Sequence, residues 1–373
     1  MKIALFLTFD YSLKTWDESG TLDRELRIYK EMTECKDVNY IFFTYGDDND
    51  IKYEDKVKNC QVIPIYSVVK YSKYKVIRYL KSFFIPLFLK RQIHNVDIIK
   101  QNQLMGSWVS IICSALYRKP YYLRSGYDMY QFSIYEKKKW LIINLYKVLT
   151  YFTIKFSTLY SVTSNKDFIF LDKQFNIPKG HIVIRPNWVQ EVTISKTKKY
   201  EDRILCVGRL CFQKNFKFII KEFKNTNTEL ALDIVGFGEE KNELKKIAND
   251  FNVSVNFLDQ LHHDDLMNLY SDYKYFITSS LYEGHPKTLI EAMSSGCIVF
   301  ASDIPSHSEI IEDKKTGLLY KLEENCLRNL YLEVKNNEML LNKISANSMR
   351  ITSNKYAIEN LLEATYKDYK SLV

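Results

Sequence analysis

Glu283-Gly284-His285-Pro286-Lys287-Thr288-Leu289-Ile290-Glu291-Ala292-Met293 is the stretch whose reading decides the fold. The apolar run before it, Tyr275-Phe276-Ile277-Thr278, predicts a strand that ends in the polar pair Ser279-Ser280. Gly284 loosens the backbone, and Pro286 suits the first position of a helix, where its missing N–H is no loss. Leu289, Ile290 and Met293 then fall at helical spacing, so strand, loop and helix follow one another. Such a helix aims unpaired N–H groups and a positive dipole end back at the loop, which favours a phosphate. Glu283 lies in the loop and Glu291 more than a turn into the helix. Two glutamates eight apart are ordinarily two solvated side chains; the Gly-x-Pro between them points to a site.

The chain around this stretch has 373 residues, enough for two domains with sizeable cores. Hydrophobic residues make up 46% and long charged tracts are absent, which describes a folded globular protein. Aromatic residues are frequent, 28 Tyr and 22 Phe, and direct attention to interfaces and membrane-facing surfaces. The formal charge of +8 does not gather on a recognisable nucleic-acid module, so no nucleic-acid partner is expected. Seven cysteines without a Cys-x-x-Cys, several of them in apolar runs, fit free thiols in a reducing cytoplasm. No signal peptide is expected at Met1–Leu7. The segment Trp140 to Tyr160, broken by Asn144, Lys147 and Lys155, is too polar for a membrane span of about 20 residues.

Lys2 to Phe9 predicts a first buried strand, followed by a loop with Ser19-Gly20 and a helix from Leu22 to Met32. That order opens a nucleotide-binding α/β unit. Further strands are expected at Asn39–Thr44, Gln61–Ile65, Val96–Lys100, Tyr121–Arg124, Leu159–Thr163 and His181–Arg185, with helical patterns between most of them. This alternation argues for parallel sheets covered by helices on both faces. A polar, basic linker is expected over 190–199. The alternation then restarts with strands at Ile204–Val207, Leu230–Val235, Val253–Leu258 and Ile298–Ala301, a turn over Thr316–Leu319 and a last helix from Tyr356 to Leu372. Asp48-Asn49-Asp50 matches a metal-binding Asp-x-Asp only in form; after a strand, Gly46 to Asp50 makes a turn. His262-His263-Asp264-Asp265 is expected at a helix N-terminus with Asp capping rather than around a metal.

The Glu-x7-Glu stretch, continued by Ser295-Gly296 and Ser302-Asp303-Ile304-Pro305, resembles the signature of retaining nucleotide-sugar glycosyltransferases of group 1, family four. Gly208-Arg209-Leu210 with Lys214 upstream resembles that family's diphosphate clamp. The resemblance implies an α/β fold of two Rossmann-like domains facing across a cleft. It gives residues 1–189 to the acceptor, residues 200–350 to the donor, and a C-terminal helix 355–373 that packs back on the first domain. It implies Glu283, Arg209 and Lys214 as catalytic residues: a charge on the leaving diphosphate met by two cations, and a carboxylate beside an oxocarbenium-like carbon. Glu291 would take the ribose hydroxyls, the N–H groups near Thr288 and Leu289 the diphosphate, and Gly20, Gly208 and Gly238 would line the substrate. The implied activity is metal-independent transfer from a nucleotide sugar, a UDP- rather than a GDP-sugar, with no resident cofactor. The acceptor is a glycan or a lipid-linked glycan of cell-envelope synthesis, and the enzyme is cytoplasmic, peripheral on the inner face of the membrane. An epimerase or phosphorylase of the same fold, or a non-catalytic subunit, are the competing classes.

The sequence departs from the family's pattern in three places. Trp188 in Arg185-Pro186-Asn187-Trp188-Val189 replaces a glycine, Asp259-Gln260 stands where glycine is common, and Gln101-Asn102-Gln103 stands where many members carry a histidine. The general base for the acceptor is therefore unassigned. An anionic membrane surface is expected to meet residues 70–91. On a continuous helix Val76, Ile77, Leu80, Phe83, Phe84, Leu87 and Phe88 form one stripe packed on the sheet. Lys75, Arg78, Lys81, Ile85 and Leu89 then face outward.

Overall fold

The computed structural model describes residues 1–190, 199–224 and 230–373, so most of the expected linker lies outside the described residues. The chain divides into two units, Met1–Pro186 with Leu361–Val373, and Asn187–Asn360. Each is built on its own parallel sheet.

In the first unit the strands are β1 (Lys2–Phe6), β2 (Asn39–Thr44), β3 (Cys60–Pro64), β4 (Ile98–Asn102), β5 (Tyr121–Ser125), β6 (Leu159–Val162) and β7 (Ile182–Ile184). They lie in the order β3-β2-β1-β4-β5-β6-β7, every pair parallel. The central strands are continuous apolar runs because helices cover both faces; Ala4, for example, pairs with Ile41 on one side and Ile99 on the other. The strand order reverses between β1 and β4, and the crevice outside their carboxyl ends is where such sheets hold ligands.

Two expectations for this unit are corrected. The chain does not pass from β1 through a glycine loop into Leu22–Cys35. A short helix, Leu13–Glu18, intervenes, and Gly20 at φ 60° makes the turn after it. Ser12 caps that helix, and the buried Asp50 carboxylate accepts the N–H groups of Leu13 and Lys14 at 3.1 and 3.0 Å. Asp50 therefore closes a helix N-terminus.

The segment after β3 is also not one helix. It breaks into Lys75–Ser82, Ile85–Phe88 and Lys90–Ile93, with Pro86 in the first turn of the second piece. The break rotates the outward and inward faces. Ile85 and Leu89 are buried, whereas Val76, Leu80, Phe83, Phe84, Leu87 and Phe88 are at least half exposed. Arg78 turns inward to pair with Asp10 at 2.8 Å, and the Lys81 ammonium donates to the Lys70 carbonyl at 2.7 Å.

The second unit's strands are β8 (Tyr200–Val207), β9 (Ala231–Val235), β10 (Val255–Leu258), β11 (Tyr273–Thr278), β12 (Ile298–Ser302) and β13 (Leu318–Tyr320), in the order β10-β9-β8-β11-β12-β13 and all parallel. Buried clusters fill both faces of this sheet. The expected turn over Thr316–Leu319 is in part the edge strand β13, whose Leu318 pairs with Phe300 and is fully buried. The helix His263–Asp272 starts at His262 without a side-chain cap; Asp264 and Asp265 sit in its first turn, where carboxylates favour the dipole. Among the described residues no helix is long and apolar enough to cross a membrane.

The last helix, Ile358–Leu372, belongs to the first unit from Leu361 onward. Asp368 accepts from the Arg185 guanidinium at 2.8 Å, Glu363 pairs with Lys36, and Tyr369 is fully buried. The Tyr369 hydroxyl accepts from the Lys100 ammonium at 2.7 Å, and the rings of Tyr29, Tyr369 and Tyr122 surround that ammonium at 5.0, 5.4 and 5.7 Å. Burial, with the nearby Arg124 cation, pushes the Lys100 amine down to about 7, against the attraction of Asp368. A lysine depressed on folding leaves the unfolded chain holding the extra proton between about pH 7 and 10.5, so stability rises with pH across that window. The melting temperature of wild type should therefore gain on that of Lys100→Met as the pH is raised from 7 to 10. A difference independent of pH would show that Lys100 titrates as an exposed lysine does.

Candidate functional site

In the second unit the strand order reverses between β8 and β11, so the loops leaving their carboxyl ends open onto one crevice. Gly208-Arg209-Leu210 leaves β8, and residues 279–286 leave β11. Neighbouring backbone fixes the first loop closely: Gly208 N–H donates to the Val235 carbonyl at 3.0 Å and Leu210 N–H to that of Phe237 at 2.8 Å. A Cβ on Gly236 would stand 2.0 Å from the Gly208 carbonyl oxygen, and one on Gly238 2.2 Å from that of Leu210. Both glycines are therefore steric requirements of this approach. Gly238 acts on the site through the loop it supports.

The Lys214 side chain runs over Gly208, where a Cβ would meet its stem at 3.2–3.4 Å, and its ammonium reaches Glu283 Oε1 at 2.6 Å. The same oxygen accepts from the Ser280 hydroxyl at 2.7 Å, and Oε2 accepts from Gln213 Nε2 at 3.2 Å. Backbone reinforces the junction: Leu281 N–H donates to the Gln213 carbonyl at 2.9 Å, and Gln213 Nε2 to that of Tyr282 at 2.9 Å. The Ser279 hydroxyl donates to the carbonyls of Lys214 and Asn215, and that of Ser306 to the carbonyl of Glu283. Burial alone would raise the Glu283 carboxyl. The Lys214 charge, the donated hydrogen bonds and the buried His307 outweigh it, and Glu283 is held below its ordinary value.

Arg209 differs from its neighbours in being exposed, with Nη2 3.5 Å from Gln213 Oε1. The two cations of the expected clamp thus stand in unlike states, Lys214 on a carboxylate and Arg209 towards solvent. Pro286 is the N-cap of the helix Lys287–Ser294, one position ahead of the expected first turn. The N–H groups of Thr288 and Leu289 fall in that first turn, where a helix offers them no internal acceptor. Glu291 is buried on the same helix, with Tyr270 donating to Oε2 at 3.4 Å and His263 Nδ1 3.9 Å from Oε1.

The second unit thus gathers Gly208, Arg209, Lys214, Glu283, Thr288, Leu289 and Glu291 on or beside its two switch-point loops. Gly20 belongs to the first unit, past a helix from β1. Sequence reasoning missed Gln213, Ser280, Ser306 and His307 as supports of Glu283. The only signal was small polar residues placed just after strand ends. Of the departures, Asp259 is exposed and pairs with Lys241 at 2.7 Å. Trp188 is buried, and the preceding Asn187 donates to the His285 carbonyl at 2.6 Å.

Residues 189–349, the greater part of this unit, match the family described as glycosyl transferases group 1. The second unit belongs to that family. An uncharacterized glycosyltransferase of Haemophilus influenzae is 31% identical over 178 residues, 45% of this chain and 49% of that protein. The GtfA subunit of the UDP-N-acetylglucosamine–peptide N-acetylglucosaminyltransferase of Streptococcus agalactiae is 24% identical over 302 residues, 75% of this chain and 55% of that one. The UDP-Gal:alpha-D-GlcNAc-diphosphoundecaprenol alpha-1,3-galactosyltransferase of Escherichia coli is 26% identical over 219 residues, 53% and 56%. The chain spans about half the length of these three relatives. The solved sucrose-phosphate synthase of Thermosynechococcus elongatus shares the fold, with a TM-score of 0.82 over 100% of this chain and 99% of its own at 14% identity. The group 1 glycosyltransferase unit is thus joined, in one GT-B-type chain, to a second parallel-sheet α/β domain.

The Gly236 contact gives a direct test of how this glycosyltransferase unit is built. Gly236→Ala must displace the Gly208 carbonyl, and with it the Arg209 loop, because the added carbon meets backbone. It should lower the melting temperature well beyond the effect of Gly180→Ala, which has positive φ but open space around it. Equal melting temperatures in the two variants would show that the Gly208 carbonyl yields without cost.

Proposed function

We propose that this chain is a retaining, metal-independent glycosyltransferase moving a sugar from a nucleoside diphosphate donor to a glycan or lipid-linked acceptor. The observation that carries the reading is the convergence of Arg209, Lys214, Glu283 and the Lys287–Ser294 helix N-terminus at one strand-order reversal. Breaking the bond between the anomeric carbon and the diphosphate oxygen leaves negative charge on that oxygen. An exposed guanidinium, an ammonium and first-turn N–H groups are donors of the kind that stabilise it. Lys214 keeps two further N–H donors while one serves Glu283. Glu283, held ionised by its partners, is the carboxylate suited to the positive charge that develops on the sugar. Glu291 is assigned to the ribose hydroxyls.

The second unit is the donor domain in this reading, and the first unit the acceptor domain. The UDP named for two relatives favours a UDP-sugar donor, and the diphosphoundecaprenol named for one favours a lipid-linked acceptor in cell-envelope glycan synthesis. Such an acceptor places the enzyme at the inner face of a membrane.

Arg209→Ala is the cleaner test of the clamp. Removing Lys214 would leave the buried Glu283 unpaired, which costs about 3–5 kcal/mol of stability and confuses the readout. Arg209 is exposed, so its loss should leave the melting temperature nearly unchanged while transfer falls at least ~100-fold, the scale of one preorganised donor. Wild-type turnover in this variant, measured as release of nucleoside diphosphate from a panel of nucleotide sugars, would remove the assignment.

Asp50 is engaged by two backbone N–H groups, and the proposed site gathers its own cations. Transfer should accordingly persist in excess chelator. Activity lost to the chelator and restored by manganese would make the cation, rather than Arg209 and Lys214, the partner of the diphosphate.

A further inference from the structure

The first unit carries an outward apolar surface on helices that bury little of themselves, Ser82 in Lys75–Ser82 and Thr150, Thr153 and Ile154 in Trp140–Phe156. On one side it consists of Val76, Leu80, Phe84, Leu87 and Phe88; on the other Trp140, Leu141 and Leu145 project from the helix Trp140–Phe156, with Trp140 72% exposed. The helix Ser107–Tyr117 joins the two sides into one layer. Its Trp108 stacks near Phe83 and donates to the Ser82 hydroxyl at 2.7 Å, and its Ser107 meets Thr153 at 2.8 Å. Beneath the exposed side chains Ile85, Leu89, Thr150 and Ile154 are buried, so the surface is the outer face of a finished layer.

The charge on this layer is mostly of one sign, with Glu136 paired to Lys138 at 2.9 Å and Asp10 to Arg78 at 2.8 Å. Residues 70–94 contain seven Lys or Arg and no Asp or Glu, and residues 137–156 contain five and none. Next to Leu87 a cavity of about 520 Å³ is lined by Leu87, Lys90, His94, Leu116, Arg118 and Lys119. Its cations meet apolar walls, Leu87 and Leu116 being more than half exposed. The Ser107–Tyr117 helix ends here, and its Ser114 carbonyl already accepts the Arg118 and Lys119 N–H groups. Lys90–Ile93 leads into β4 and Lys119 into β5, so the cavity lies at the amino edge of the sheet, opposite the β1–β4 ligand edge.

We infer that the first unit docks on an anionic bilayer through this face, with the phosphate of an anionic phospholipid headgroup entering the Leu87–Lys119 cavity. Guanidinium and ammonium groups bind phosphate, the apolar walls accept the glycerol and upper acyl carbons, and the exposed aromatic and aliphatic side chains enter the headgroup boundary. An acidic protein surface would satisfy the lysines and leave the apolar side chains wet. A free phosphate would leave Leu87 and Leu116 uncovered. The cavity's position at the amino edge makes this lipid an anchor distinct from the acceptor. The docking face stands independently of the donor chemistry, and its test reads no transfer.

The test is flotation of the full chain with vesicles of phosphatidylcholine, with and without phosphatidylglycerol. Wild type should float with the anionic vesicles at low salt and separate from them as salt is raised. The triple variants Leu80→Ser/Phe84→Ser/Trp140→Ser and Lys90→Glu/Arg118→Glu/Lys119→Glu should each weaken binding at least about tenfold. Unchanged melting curves would confirm that both variants fold. Inorganic phosphate should displace the protein no more than sodium chloride of equal ionic strength. Failure to float with anionic vesicles, or equal flotation with neutral ones, overturns the inference. So does a concentration-dependent dimer abolished by the apolar triple variant without vesicle binding, which would assign the face to a second copy of this chain.

Discussion

The ion pair between Lys214 and Glu283 is the constraint on which the second unit's site depends. Its partners leave the sheet from β8 and β11, strands separated in sequence by β9 and β10 but adjacent in the sheet. A pair this far out of water survives only where further hydrogen bonds offset the desolvation of both charges. Ser280 and Gln213 supply these to the carboxylate, and Ser279 and Leu281 supply the backbone links that hold the two loops together. The same requirement reaches further back. Gly208 must lack a side chain for the Lys214 stem to cross it, and Gly236 must lack one for the neighbouring loop to support Gly208.

That arrangement gives the two glutamates of the Glu-x7-Glu stretch different chemistry. Glu283 sits beside a lysine and is held ionised, whereas Glu291 faces a tyrosine hydroxyl and the edge of a histidine. Arg209 complements them by being the cation left towards solvent. A fixed carboxylate and an exposed cation on one crevice form a site with separate places for opposite charges, as a reaction that splits charge between a sugar and a diphosphate requires. Fold alone would not support this, since Rossmann-like sheets host many unrelated chemistries.

The elements of both sheets were legible because parallel strands buried on two faces are continuous apolar runs, the signal present at Ile204–Val207 and Tyr275–Thr278. The strand–loop–helix reading around Pro286 was legible because a proline, a glycine and a helical apolar period agreed within eleven residues. What stayed hidden depends on approach through space. Gln213 acquires meaning only when residues 70 apart are stitched together, Ser280 only when the loop turns Glu283 back on it, and His307 only because the β12 end folds over Glu283. The helix Leu13–Glu18 was missed although Ser12 and Thr15 cap it locally, because six residues are too few to show a helical period; Asp50, from a different part of the chain, completes its N-terminus. Gly20 consequently turns the chain after that helix rather than directly after β1.

The inverted face of residues 75–93 shows how one local event can reverse a periodicity argument. A helical wheel assumes an unbroken register, and on that assumption seven apolar side chains pointed inward. The chain instead closes its first helix at Ser82, whose hydroxyl accepts from Trp108, and restarts around Pro86. Each short piece can then rotate to its own contacts, so Tyr79 reaches Phe9 and Trp108 while Ile85 and Leu89 drop into the core. The larger apolar set is left outside because the inward positions are already filled. A solvated surface seldom keeps so many large apolar groups together, and the charged residues within 70–94 and 137–156 are all cations. The break that defeats the wheel is therefore what leaves the first unit with a face suited to the boundary of an anionic bilayer.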